Sequence, residues 1–161
     1  MRRLFFGLLL IAGMMSCDQH GVYHEYQDLP AQWHQDSTVT FQLKMEDSLQ
    51  PYDAFITLRN TNDYPFSNLF LITKMEFPYG KVITDTLEYR MAASDGQWLG
   101  TGFSELKENK LWYKEQVRFR ESGVYHLHIR PAMRRMGEVQ PLQALPGITQ
   151  VGLRIERVEE Q

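Results

Sequence analysis

The chain has 161 residues, 43% hydrophobic and 23% charged, with 17 basic against 20 acidic side chains. That length suits one domain with a full core. The mildly acidic balance argues against nucleic-acid binding and against general attraction to anionic lipid heads.

The first seventeen residues, MRRLFFGLLLIAGMMSC, set a basic start (Arg2, Arg3) before an apolar run from Leu4 to Ala12. Small and medium residues and then Cys17 follow, which is the pattern of an export signal. The run is too short to span a bilayer, which needs about 20 residues. Cys17 is the sole cysteine, preceded by the small Ser16. Bacterial lipoprotein signals place one cysteine at the cut, where it is acylated and becomes the new N-terminus, and this segment resembles them. It departs at Met14, where leucine is commoner. A plain cleaved signal or a buried N-terminal helix is the alternative. Processing predicts three parts: a signal at 1–16, an acylated tether and lead-in at 17–36, and one domain at 37–161. The signal takes away Arg2 and Arg3 and no acid, leaving 15 basic against 20 acidic residues. Each buried CH₂ contributes about 0.8 kcal/mol, so two or three acyl chains on Cys17 anchor stably where one does not. With Cys17 consumed, disulfides, thiol catalysis and cysteine-ligated zinc are excluded.

Residues 18–36 are polar, with Val22, Tyr23, Tyr26, Leu29 and Trp33 spaced among them, a tether followed by a lead-in that docks its aromatics. Residues 38–45 alternate cleanly, with Val39, Phe41, Leu43 and Met45 on one face and Thr40, Gln42 and Lys44 on the other, which predicts a half-buried strand. A second strand covers 52–59. Residues 60–67 (NTNDYPFS) are turn chemistry, with Pro65 restricting Tyr64. The more apolar 68–77 predicts a central strand. Further strands are expected at 81–91, 97–103, 110–120, 124–130 and 148–158, with one helical turn at 131–136 and a loop at 137–146. About eight short strands without a long helical pattern predict an all-β antiparallel sandwich, immunoglobulin-like or jelly-roll-like.

Four stretches carry a family resemblance: DAFITLRNTNDYPFSNLFLITKMEFP (53–78), DTLEYRMAASDGQWLGTGF (85–103), FRESGVYHLHIRPAMR (119–134) and LPGITQVGLRIER (145–157). WHQDSTVTF (33–41), behind the lipoprotein cysteine, adds to them. Together they resemble the gliding-motility lipoprotein GldH family of Bacteroidetes-type bacteria. The resemblance implies an outer-membrane lipoprotein needed for assembly or operation of the gliding apparatus, with no catalytic activity and no active site to carry over. Family members occur in bacteria that do not glide.

Motifs for chemistry are sparse. His126 and His128 leave one face of a strand, but a metal needs a third ligand that nothing in the sequence places. Ser94 and Ser122 lie in turns, outside any G-x-S-x-G elbow. Asp85 with Glu88, and Glu105 with Glu108, read as surface acids. No catalytic residue, metal ligand or cofactor is expected.

The better lead is aromatic. Rings at turns often anchor interfaces, and loops on a rigid sandwich carry binding. Asn60, Tyr64, Phe66 and Asn68 around one loop, then Trp98 and Trp112, are the expected partner-binding residues, although the same rings suit caps on the core. The expectation is a non-enzymatic lipoprotein, attached to the outer membrane through Cys17, acting by contact with gliding or envelope proteins. The near absence of acidic residues after Cys17, Asp18 apart, favours the periplasmic face over the cell surface. The alternative is a carbohydrate- or solute-binding module, for which Trp98 and Trp112 would form a coplanar exposed platform.

Overall fold

The computed structural model describes residues 21–46 and 49–158. The signal segment and Cys17 lie outside them. The described residues form ten strands and no helix: β1 (Gly21–Asp28), β2 (Gln32–His34), β3 (Val39–Met45), β4 (Tyr52–Asn60), β5 (Asn68–Glu76), β6 (Val82–Arg90), β7 (Lys107–Val117), β8 (Gly123–Pro131), β9 (Ala144–Pro146) and β10 (Ile148–Arg157). Two four-stranded antiparallel sheets, ordered β1-β10-β4-β7 and β3-β8-β5-β6, face each other as a sandwich, with a β2-β9 ribbon beside them.

The alternation read in 38–45 is the one that β3 uses. Val39, Phe41, Leu43 and Met45 are buried, and Gln42 and Lys44 are exposed. β5 is central, between β8 and β6. Its inward Leu69 and Leu71 meet Ile56, Leu58, Leu153 and Ile155 of the opposite sheet in one cluster, and its Thr73 is buried too. β4 is buried on both faces. Its inner Ile56 and Leu58 enter the core, while Phe55 on the outer face lies 4.3 Å from the ring of Trp112 and under Lys110 Nζ at 4.1 Å.

Four segments differ from the expectation, one of them 137–146, read as a loop, whose Ala144–Pro146 is β9. The lead-in is itself structure, since β1 pairs with β10 from Gly21 to Asp28. Its inward positions, Tyr23, Glu25 and Gln27, are polar or amphipathic. Gln27 Nε2 donates to Thr40 O on β3 at 2.7 Å, and the Tyr23 hydroxyl donates to Glu25 at 2.6 Å. This sandwich edge is closed by hydrogen bonds, so β1 carries no apolar alternation. Residues 97–103 form no strand, only the isolated bridges Ala92↔Trp98 and Thr101↔Glu108. Gly100 lies against Asn109, whose Oδ1 would be 2.7 Å from an added Cβ, and Gly102 has φ +138°. Residues 131–136 make no helical turn. β8 runs through Pro131, Ala132 N donates to Phe70 O at 2.9 Å, and Arg134 bridges to Pro141.

Register fixes which loops share an end. β4 ends at Asn60, paired with Ile148 and Lys107, the first residues of β10 and β7. β6 ends at Arg90, paired with Asn68, the first residue of β5. The long connections 61–67, 91–106 and 132–147 therefore gather at one end. The short turns 77–81 and 118–122 lie at the other. Gly21 lies there too, in register with Glu156 and through it with Asp53.

Candidate functional site

The loop-rich end is built on two buried asparagines. Asn60 is wholly buried. Asn109 Nδ2 donates to Asn60 Oδ1 at 2.8 Å and to Leu58 O at 3.2 Å, while Asn60 Nδ2 donates to Thr61 O at 3.2 Å. A buried amide must be satisfied in this way. The pair locks the start of loop 61–67 to β7.

Tyr64 is 2% exposed. Its hydroxyl donates to Asn68 O at 2.6 Å, closing the loop on itself. Burial pushes the Tyr64 phenol above its ordinary pKa, so it stays neutral and donating. Gly147 has φ +79°, and a side chain there would run into the Tyr64 backbone. Phe66 is half-buried, edge-on to Tyr64 at 5.8 Å. Asn68 Nδ2 donates to Glu88 at 3.2 Å. Trp98 is half-buried, its ring 6.1 Å from Tyr64 and its Nε1 donating to Asn62 Oδ1 at 2.9 Å. Five of the six expected residues thus meet at this end. Asn60 and Tyr64 build the loop from inside, while Phe66, Asn68 and Trp98 reach its surface.

Trp112 lies elsewhere. It is 51% exposed on the outer face of β7, against Phe55, and its carbonyl accepts from the Tyr89 hydroxyl at 2.7 Å. With Trp98 packed on Tyr64 and Trp112 on Phe55, the two tryptophans do not form a common platform. Around Trp112 the face is polar. Arg59 donates to Glu108 at 2.9 Å and to Gln150 at 2.7 Å, and its guanidinium covers the Tyr26 ring at 4.4 Å. Lys110 donates to Glu156, which Arg154 also bonds. Burial alone would raise the Glu156 carboxyl, but these two cations outweigh it and hold it below the usual carboxylate range.

Sequence reasoning missed the most exposed rings and side chains of the loop end. Phe103 is 99% and Met136 103% exposed, with Leu99, Leu106 and Val139 also outward. Gly100 and Gly102 just before Phe103, and Gly137 after Met136, were the available signal, because glycine-rich apolar segments make poor strands. Phe66, Arg134, Arg135 and Met136 line an open cleft of about 690 Å³ at this end. It is too open to enclose a substrate, yet it combines apolar and cationic groups as protein interfaces do.

The other candidates resolve as structure. The His126 and His128 rings stack 6.4 Å apart. His128 Nδ1 bonds the Thr40 hydroxyl at 2.9 Å, and its Nε2 lies 3.7 Å from Glu76. Among the described residues no three His, Cys, Asp or Glu side chains converge on a metal position. Asp85 and Glu88 leave opposite faces of β6. Asp85 pairs with Lys114 at 3.0 Å, and Glu108 pairs with Arg59 at 2.9 Å.

The sequence profile of a family described as GldH lipoprotein matches residues 21–155. The gliding motility lipoprotein GldH homolog of Christiangramia forsetii is 53% identical over 154 residues, covering 96% of this chain and 94% of its own. The gliding motility lipoprotein GldH of Flavobacterium johnsoniae is 48% identical over 153 residues, covering 94% of this chain and 95% of its own. A solved structure of infectious bursal disease virus, Gt strain, covers 87% of this chain and 33% of its own at 14% identity and a TM-score of 0.40, too slight a likeness to carry an argument. With a profile match across both sheets and relatives near half-identical along almost their full length, the chain belongs to the GldH lipoprotein family.

Proposed function

We propose that this protein is a non-enzymatic component of the gliding machinery, held on the periplasmic face of the outer membrane by acylated Cys17 and acting through protein–protein contact. The observation that carries the reading is topological. Cys17 lies four residues before Gly21, which opens β1 at the short-turn end. The long loops, with Phe66, Trp98, Phe103 and Met136, lie at the opposite end. An anchor so placed holds the contact surface away from the bilayer, toward other envelope proteins.

Three measurements test this. Cys17→Ala removes the proposed anchor and leaves every described strand unchanged in sequence, so the protein should leave the membrane fraction and lose labelled fatty acid. Retention with undiminished label would refute lipid anchoring. A photo-crosslinking residue at Phe103 or Met136 should capture an envelope protein in cells, and deletion of the gene in a gliding host should abolish spreading. Normal spreading of the deletion strain would refute the gliding role. Capture from the outer face around Trp112 and none from the loops would move the interface.

The alternative, a glycan-binding module, has one supporting observation: Trp112 exposes a ring beside Lys110 and Glu156. Binding of envelope glycans that is lost in Trp112→Ala, with spreading intact after Phe103→Ser, would favour it.

A further inference from the structure

The two sheets meet without a hydrogen-bonded strand pair along the β6 and β7 edges. Halfway along, the gap is bridged by polar contacts, Tyr89 to the Trp112 carbonyl and Lys114 to Asp85. Toward the short-turn end it opens into a slot of about 200 Å³. Met75, Phe77, Ile83, Val117, Phe119 and Tyr125 form its walls. Apart from the backbone and the Tyr113 and Tyr125 hydroxyls, those walls are hydrocarbon, aromatic ring and one thioether. A small-molecule site usually has roughly 300–1,000 Å³ and several convergent polar groups. This slot is narrower and apolar, which suits the end of one unbranched chain.

Its mouth is cationic although the domain as a whole is acidic. Lys114 and Arg118 line it, and Lys81 Nζ sits 5.1 Å from the centre of the Phe77 ring. Asp85 offsets Lys114, and the Glu121 carboxylate, which accepts from Tyr79 N at 3.1 Å, lies at the same turn, so Lys81 and Arg118 are the groups that favour an anion there, against one nearby acid.

Position adds the source. Gly21 lies three strand spacings from β7 at this level, through Glu156, Asp53 and then Gln116, whose N–H donates to Asp53 at 2.9 Å. At about 4.8 Å each, that is about 14 Å. Residues 17–20 reach at most about 14 Å. The slot therefore opens at the end of the domain that the anchor holds against the membrane.

We propose that the slot takes the end of one acyl chain from an anionic lipid of the membrane that Cys17 enters, with Lys81 and Arg118 at its headgroup. The inference rests on the anchoring reading for its source of lipid, and the test separates the two. The mature acylated protein is placed in nanodiscs of phosphatidylethanolamine containing a few per cent phosphatidylglycerol with a diazirine at the acyl terminus. Light should attach the lipid to peptides covering residues 75–83 and 113–119. Val117→Trp, which fills the slot, should cut labelling at least fivefold without lowering the melting temperature. Should that variant be unstable, Lys81→Gln with Arg118→Gln, both at exposed positions, should still cut phosphatidylglycerol labelling several-fold. The same pair should leave labelling by a diazirine phosphatidylethanolamine unchanged.

Labelling confined to exposed turns and unaffected by Val117→Trp would overturn the slot. Equal labelling by both lipids would overturn the anionic headgroup. If the protein does not enter the nanodisc, anchoring has failed, and a diazirine dodecanoate added to the protein in solution decides the slot alone. Attachment at the same walls supports it, and no attachment overturns it.

Discussion

Tyr64 separates a loop that is an interface from a loop that is a scaffold. Its ring is 2% exposed, packed at 5.8 Å from Phe66 and 6.1 Å from Trp98, and its hydroxyl closes the turn on Asn68 O at 2.6 Å. Tyr64→Phe keeps the ring and removes that bond. A hydrogen bond contributes about 0.5–1.5 kcal/mol net, and a buried carbonyl left without its donor costs about 1–3 kcal/mol. The bond is part-buried, so a loss of about 1–2 kcal/mol is expected. Tyr64→Ala also empties the space of a buried ring, for about 3–5 kcal/mol. In a domain of this size each kcal/mol lowers the melting temperature by roughly 2–4 °C. Urea unfolding at constant slope gives both values, and partner capture by a crosslinker at Phe103 is measured on the same variants. The scaffold reasoning requires Tyr64→Phe to keep capture at its cost in stability. A Tyr64→Ala protein within about 1 kcal/mol of wild type, yet unable to capture the partner, would refute it and make Tyr64 a direct contact.

Phe41→Ala should cost about 3–5 kcal/mol because the ring is fully buried, whereas Thr40→Ala, which loses only a half-buried hydroxyl bonded to His128, should cost about 1 kcal/mol or less; equal losses in urea would mean the strand faces the other way. Gly152→Ala places a methyl against Thr57, 2.7 Å from Glu25 O and 2.8 Å from Tyr26 Cδ1. Overpacking of that kind costs about 1–3 kcal/mol, and hydrogen exchange should quicken in β1 before any other strand. Glu156 has its folded pKa lowered, so its ion pairs stabilise above the unfolded value and are lost as pH falls through the folded one. Glu156→Gln should therefore lessen the loss of stability between neutral and acidic pH, and an unchanged acid limb would show that Lys110 and Arg154 leave the carboxyl unperturbed.

How much of this was legible follows from where the polar groups sit. β3, β8 and β10 bury one face and could be read from their period of two, and β5 from its more continuous apolar run. β1 could not, because its inward Gln27 reaches Thr40 by a hydrogen bond instead of entering the core. Residues 97–103 carried the composition of a strand but lacked the room for one, since Asn109 fills the space beside Gly100. β4 concealed its outer face. Phe55 and Thr57 look like an interruption of the alternation until Trp112, Lys110 and Tyr26 are seen to cover that face from neighbouring strands.

The candidate site was legible as a structured loop end and not as a surface. Turn residues and aromatics between β4 and β5 announced a structured loop, and Tyr64, Phe66 and Trp98 do come together there. What sequence cannot say is which ring faces in. The hydroxyl of Tyr64 and the indole N–H of Trp98 find partners within the loops, so Tyr64 is an internal support and Trp98 is held half-buried at the loop surface, while Phe103, with no polar group to satisfy, projects fully. Orientation needed still longer-range information. Only the pairing of Gly21 with Glu156, and of Asn60 with Ile148, puts the start of β1 and the long loops at opposite ends. On the proposed reading that separation divides the labour of the fold, with the short-turn end and its apolar slot toward the bilayer and the loop end toward a protein. Exchange of function between the ends is therefore the sharpest challenge to this reading. A variant with Phe103 and Met136 both changed to Ser should lose partner capture and keep its membrane contacts. Lys81→Gln with Arg118→Gln should do the reverse, and loss of both properties in either variant would mean that the two ends do not act separately.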